Sequence, residues 1–236
     1  MAPCAQSLSC FLCPSPARGY GTSQEASDQS LHAVQITLCT GLDSSRFSDS
    51  GMQCGTYNVA SNSWTVSGSV LLPINHLAYC TDGSELRMIS GRQGFNAATL
   101  PAEGTCQTFD METRQAQPCA DLPYPAGGTG KCINAQGGFW VFGGELNGDQ
   151  FSVYGDMVGG DANPSANGGV LSAVSFFDRS SGTWTQHAEM SIAKHGILPV
   201  KHDGYVYIAG GGVDSGGSGS SSMIRANLAL LQQCAV

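Results

Sequence analysis

The sequence predicts an all-β fold built from repeated four-stranded sheets, and three observations carry that expectation. Glycine accounts for 32 of the 236 residues while charged residues make up only 12 %, the composition of many short strands joined by tight turns. An aromatic-led segment recurs as Tyr57-Asn58 to Trp64, as Phe109-Asp110 onward, and as Phe177-Asp178 to Trp184. An apolar run ending in small residues recurs as LRMISG to Gly91, FWVFGG to Gly144 and VYIAGG to Gly211.

The two series interlock. From each aromatic to the next terminal glycine the spacing is 34, 35 and 34 residues, a regularity that marks one repeated unit. From glycine to the next aromatic it is 18 and then 33 residues, so one connection is much longer than the other. The excess falls in residues 146–169, which are polar and glycine-rich and are expected to form an inserted surface loop. The series extends outward to VQITLC, ahead of the first aromatic, and to MIRANLALL near the C-terminus, both read as strands.

Each unit offers four strand-like runs, for example ILPV, YVYIA, VSFF and TWTQ. A sheet of that size cannot cover both of its own faces, and stacking successive sheets around an axis buries them while leaving only short edges. The expectation is therefore a β-propeller over residues 31–231, with about four full or partial four-stranded blades, closed or incomplete. Residues 1–30 are read as a disordered tail or the start of a longer product, and 232–236 as a short tail.

The aromatic-Asp hairpin followed by tryptophan, the glycine pair after a strand, and the elements NHLAYC…SGRQG, GGTGKC…VFGGE and KHGILPV…YIAGGG resemble kelch repeats. Two positions depart from the pattern: Ser90 replaces the first glycine of one pair, and Ala116 or Gln117 stands where the second unit would carry its tryptophan. The resemblance implies a kelch-type β-propeller that binds its partners beside the glycine pairs and at the start of the innermost strands.

Hairpin geometry points to the same place. An antiparallel pair puts the start of its first strand and the end of its second at one end of the sheet. One rim is then expected to carry Asn75, His76, Arg92, Glu145, Lys194 and His195 as ligand-binding residues, joined by Asp149, Tyr154, Asp156 and Asp161 of the insertion. His76 and His195 lie 15 and 16 residues before Gly91 and Gly211 and are read as repeat equivalents, with Gly128 between them. Plainer readings stand beside these: the histidines bonding neighbouring backbone, and Arg92 with Glu145 forming an ion pair between sheets.

Other chemistries find less support. A net charge of −8 with only three lysines, Lys131, Lys194 and Lys201, leaves no basic stripe, so no nucleic-acid partner is expected. No run is long and apolar enough for a membrane helix, and a soluble chain with no membrane partner is expected. His187, His195 and His202 fall on different strands of the repeat, and Cys10-Phe-Leu-Cys13 lacks a second pair, so neither a metal nor a cofactor is expected. Cys54 and Cys106 precede aromatics by three residues, and Cys80 and Cys132 follow the His76 and Gly128 positions by four. These are read first as small buried fillers, with disulfides as the other reading; no compartment is assigned.

The leading functional expectation is a binding scaffold that recognises a protein partner or a small polar ligand on one rim, with no catalytic residue assigned. The alternative is a kelch-fold enzyme. One form is a sugar mutarotase or epimerase using Arg92 and Glu145; the other is a copper radical oxidase of the galactose-oxidase type, whose catalytic segments are not found in this chain.

Overall fold

A computed structural model of the chain describes residues 13–14, 35–39, 53–72, 74–81, 83–92, 102–159, 161–163, 168–216 and 218–233. The chain is all-β in its main architecture, with antiparallel sheets formed in chain order. The first sheet holds β1 (Cys13–Pro14), β2 (Gln35–Cys39), β3 (Gln53–Asn58) and β4 (Ser63–Ser69). The second holds β5 (Ala78–Thr81), β6 (Glu85–Arg92), β7 (Ala102–Asp110) and β8 (Ala116–Cys119).

The third sheet begins with β9 (Ile133–Ala135) and β10 (Gly138–Phe142). The chain then leaves it through β11 (Glu145–Asn147), α1 (Gly148–Val158), β12 (Asp161–Asn163) and β13 (Gly168–Val170), and returns as β14 (Ala173–Asp178) and β15 (Thr183–Glu189). The fourth holds three strands, β16 (Val200–His202), β17 (Tyr205–Ala209) and β18 (Met223–Asn227), followed by α2 (Leu228–Leu231). The expected tails lie outside the described residues except for Cys13–Pro14, which pair with β2, and residues 232–233.

Side-chain alternation explains how the sheets stack. Along β10, Phe139 and Val141 enter the cluster shared with the second sheet, whereas Trp140 and Phe142 enter the cluster shared with the fourth. A period of two sends successive residues to opposite faces, so an uninterrupted run such as FWVF marks a strand covered on both sides. A third cluster, with Cys39, Cys54, Leu86, Met88 and Phe109, joins the first sheet to the second.

Adjacent sheets are also tied at their first strands. Tyr79 of β5 forms a parallel bridge with Lys131, its N–H reaching Gly130 O at 3.0 Å while the Cys132 N–H returns to Tyr79 O at 3.0 Å. At the end where these strands begin, the Gly128 N–H donates to His76 O and the Gly196 N–H donates to Gly128 O, at 2.6 and 2.5 Å. His76, Gly128 and Gly196 all have left-handed φ, at 54°, 69° and 59°, a region in which glycine is free and other residues are strained. A main-chain relay thus runs across three sheets.

Several expectations need correction. The described residues of the insertion 146–169 are not a plain loop: Asn147 caps α1 by accepting from Gln150 N at 2.9 Å, with Asp149 in the first turn. Gln150 also pairs with both backbone groups of Ala102 at 2.7 and 2.8 Å, and the Phe151 ring lies where a Cβ on Gly169 would fall. The ILPV run leads only into β16, which starts at Val200, and MIRANLALL splits because Asn227 caps α2 through Ala229 N. The cysteines read first as fillers are bridged, as Cys39–Cys54, Cys80–Cys132 and Cys106–Cys119. Two of these bonds join register partners on adjacent strands; Cys80–Cys132 links the second sheet to the third.

Candidate functional site

The sequence placed six residues on one rim, and the structure draws five of them together, all but Lys194. Arg92 ends β6 and Glu145 begins β11, one repeat apart, and both are nearly sealed from solvent at 1 % and 2 % exposure. Arg92 Nη1 donates to Glu145 Oε1 at 2.9 Å, so the ion-pair reading of these two side chains holds. The guanidinium lies against Gly127, where a Cβ would come within 2.7 Å of its Nε. That Nε has no hydrogen-bond partner among the described residues.

Glu145 is the hub of the cluster. Its Oε2 accepts from Ser215 Oγ at 3.1 Å and from the Gly216 N–H at 2.8 Å, groups that belong to the loop after β17. His195 Nδ1 faces Oε1 at 3.7 Å. His195 Nε2 is 2.8 Å from Asp214 O, a carbonyl that can only accept, so the ring proton belongs on Nε2 and Nδ1 is turned to the carboxylate. The Gly212 backbone makes room for the ring.

His76 is half-buried beside this group, its Nδ1 bonded to the Oδ1 of Asn75. Burial first, and then the charges of Arg92 and His195, hold its pKa below the ordinary histidine value, against an opposing pull from Glu145. The imidazole is therefore neutral at pH 7, a hydrogen-bonding group rather than a cation.

Two sequence readings do not survive. Lys194 takes no part in the rim: its fully buried ammonium donates to Gly210 O and, at 2.9 Å, to Ser222 O, tying the start of the fourth sheet to its own loop. Burial lowers its pKa. The histidines are also not strict equivalents, because Asn75 bridges Arg92, Gly127 bridges Glu145 and His195 bridges Gly212. His195 therefore corresponds to Asn75, and His76 to Gly128 and Gly196, a shift of one residue that glycine spacing alone does not reveal. Ser215 and Gly216 escaped the sequence reading because nothing in the SGGSGSSS run distinguishes them from an ordinary linker.

Elsewhere the chemistry is dispersed. His187 packs its ring against Trp140 and Phe176, and His202 pairs with the exposed Asp203 at 3.3 Å. Among the described residues no three His, Cys, Asp or Glu side chains come together in the manner of metal ligands. No helix among them is long and apolar enough to cross a membrane. An open cleft of about 580 Å3 at the opposite rim is lined by the β9–β10 and β16–β17 turns, with Gln136, Lys201, His202 and Tyr205.

Acid should destabilise this fold within the histidine range. His76 and His187 both have lowered pKa values, each chiefly through burial. The unfolded chain binds protons near the ordinary value of about 6.5 while the folded chain refuses them until lower pH, so the stability their neutral forms contribute is lost as pH falls through that window. Urea midpoints measured at pH 7.5 and 5.5 should show the lower value at 5.5; an equal or higher midpoint at 5.5 contradicts the assignment.

No protein-family model matches the chain, and no curated protein matches it. Among solved structures the chain is similar to the structure of YjhT, with a TM-score of 0.55 and 13 % identity over 73 % of this chain and 48 % of that one. At that identity the likeness is one of fold alone. The chain spans about half the length of that structure. Together with the sheet order, the likeness defines the class: an all-β protein of antiparallel sheets stacked in chain order.

Proposed function

We propose that the chain is a kelch-type β-propeller or a portion of one, and that it serves as a binding scaffold for a protein or small polar ligand at the rim formed by His76, Arg92, Glu145 and His195. The observation that carries this reading is the convergence of these four side chains, contributed by three successive sheets, where first strands begin and second strands end. Arg92 and Glu145 hold each other in place, Asp214 O holds His195, and the half-buried His76 presents a neutral imidazole beside them. Such a preorganised polar group orients a ligand without first paying to order itself.

The enzyme reading is second, and the meeting of Arg92 with Glu145 at the rim favours its sugar-isomerising form, in which these two side chains hold the sugar and a carboxylate takes a proton from it and returns one. A copper radical site fits less well. The six cysteines whose side chains are described are all in disulfides, leaving none of them to crosslink a tyrosine.

Calorimetric titration of the full chain with free neutral and acidic sugars tests the proposal, with His76→Gly as the control because residue 76 has the left-handed φ that glycine accepts. Sugar binding that is lost in H76G supports the small-ligand arm. A silent titration, followed by capture of a protein that H76G fails to hold, supports the protein arm. Binding of either kind that H76G leaves unchanged removes this rim from consideration, and accelerated anomer exchange moves the reading to an enzyme.

A further inference from the structure

The two outer faces of the stack have the composition of its inner interfaces. The second and third sheets each dock on the one before with equivalent residues, Leu86, Phe109 and Ala116 in the second. In the third sheet this leading set includes Phe139, Phe177 and Trp184, packed into the cluster shared with the second sheet. The Trp184 indole donates to Ala120 O of the preceding sheet at 2.9 Å. Register identifies the same positions in the first sheet. Ile36 pairs with Tyr57 and Tyr57 with Trp64, just as Phe139 pairs with Phe177 and Phe177 with Trp184, and both sheets carry a bulge at the same point of the third strand. The ring pairs match too, with Tyr57–Trp64 centroids at 5.1 Å and Phe177–Trp184 at 5.2 Å.

What differs is cover. Trp64 and Val66 are 54 % and 70 % exposed, and no described residue is seated on that face. At the other end, the fourth sheet turns Val206 and Ile208 toward the third, which leaves Val200, Tyr205, Tyr207, Met223 and Arg225 on its trailing face. Val200 and Met223 are 57 % and 66 % exposed.

The two open faces are complementary in the manner of the inner ones. On the trailing face of the second sheet, Arg87 lies over the Phe139 and Phe177 rings of the next sheet, at 5.3 and 4.8 Å from their centroids. On the fourth sheet Tyr207 holds the position of Arg87, and its register partner Arg225, beside Tyr205, offers a cation on the same face; Tyr57 with Trp64 offers the aromatic pair to receive it.

We infer that the occupant of each face is a second copy of this chain, the first sheet of one copy docking on the fourth sheet of the other. A head-to-tail contact closes into a ring when the rotation permits, and two four-sheet stacks joined at both ends make eight sheets, within the range of closed propellers. This inference rests on the propeller reading above but not on any ligand at the rim.

Sedimentation velocity of the full chain tests it, using a leading-face variant, Trp64→Glu with Val66→Asp, and a trailing-face variant, Val200→Asp with Met223→Asp. All four positions are exposed, so both variants should keep the far-ultraviolet spectrum and melting behaviour of a folded chain. The unaltered chain is expected at twice the chain mass and each variant alone at the single mass. An equimolar mixture of the two variants should return to twice the mass, because one intact leading face then meets one intact trailing face. A single mass for the unaltered chain, growth beyond two copies, or sensitivity to only one of the two variants each overturns the pairing. Loss of sugar or protein binding at the rim leaves all these outcomes unchanged, so the two proposals fail separately.

Discussion

Replacing Glu145 by alanine is expected to destabilise the chain by about 3–5 kcal/mol, the cost of leaving a buried partner charge uncompensated. Arg92 is sealed in, its guanidinium against Gly127 and its Nη1 committed to Glu145 Oε1. The same substitution strands the Ser215 hydroxyl and the Gly216 N–H, which both donate to Oε2, and so loosens the loop after β17. Urea unfolding of Glu145→Ala, Arg92→Met and the double variant separates these contributions. The double variant should recover much of the loss, since an apolar pair demands no compensation. Additive losses would show that the two charges do not interact in the folded chain.

Removing the Cys80–Cys132 bond comes next, with an expected loss of about 4 kcal/mol when both cysteines become serine, from loop-closure entropy over a separation of 52 residues. Cys39–Cys54 and Cys106–Cys119 close only 15 and 13 residues between strands already paired in register, and their removal should cost less, roughly 3 kcal/mol each. Of the three bonds among the described residues, Cys80–Cys132 alone spans two sheets. Denaturant midpoints of the three double-serine variants should rank in that order, and a mildest effect at Cys80–Cys132 would refute the ranking. Reductant should lower the midpoint of the unaltered chain in the same direction.

Much of the architecture was legible because period-two alternation and turn residues are local signals. LRMISG, FWVFGG and YVYIA fall on β6, β10 and β17, and Phe177-Asp178 to Trp184 spans the β14–β15 hairpin. The Arg92 and Glu145 pairing was legible as an option because both follow the terminal glycines of adjacent units. What was not legible depends on long-range geometry. The α1 segment starts on Gly148, has Gly155 in its interior and shows weak helical pattern; it is stabilised by the Asn147 cap and by Gln150 and Phe151 reaching the second sheet and β13. Cysteine spacing does not disclose partners, and Cys80 and Cys132, which look like repeat copies, are bonded to each other. Counting back from Gly211 misplaced His195 by one, because the true register is set by its bridge to Gly212.

The relay from His76 through Gly128 to Gly196 uses peptide groups alone. Its spacing is therefore indifferent to which side chain, if any, each member bears, and of the three only residue 76 bears one. A lineage of such chains could exchange that imidazole for another group, or place a side chain at 196, where the space is open, at the cost of a left-handed backbone, while a side chain at 128 would crowd the Gly196 N and His195. Chemical identity at this end of the molecule is in that sense uncoupled from its scaffolding.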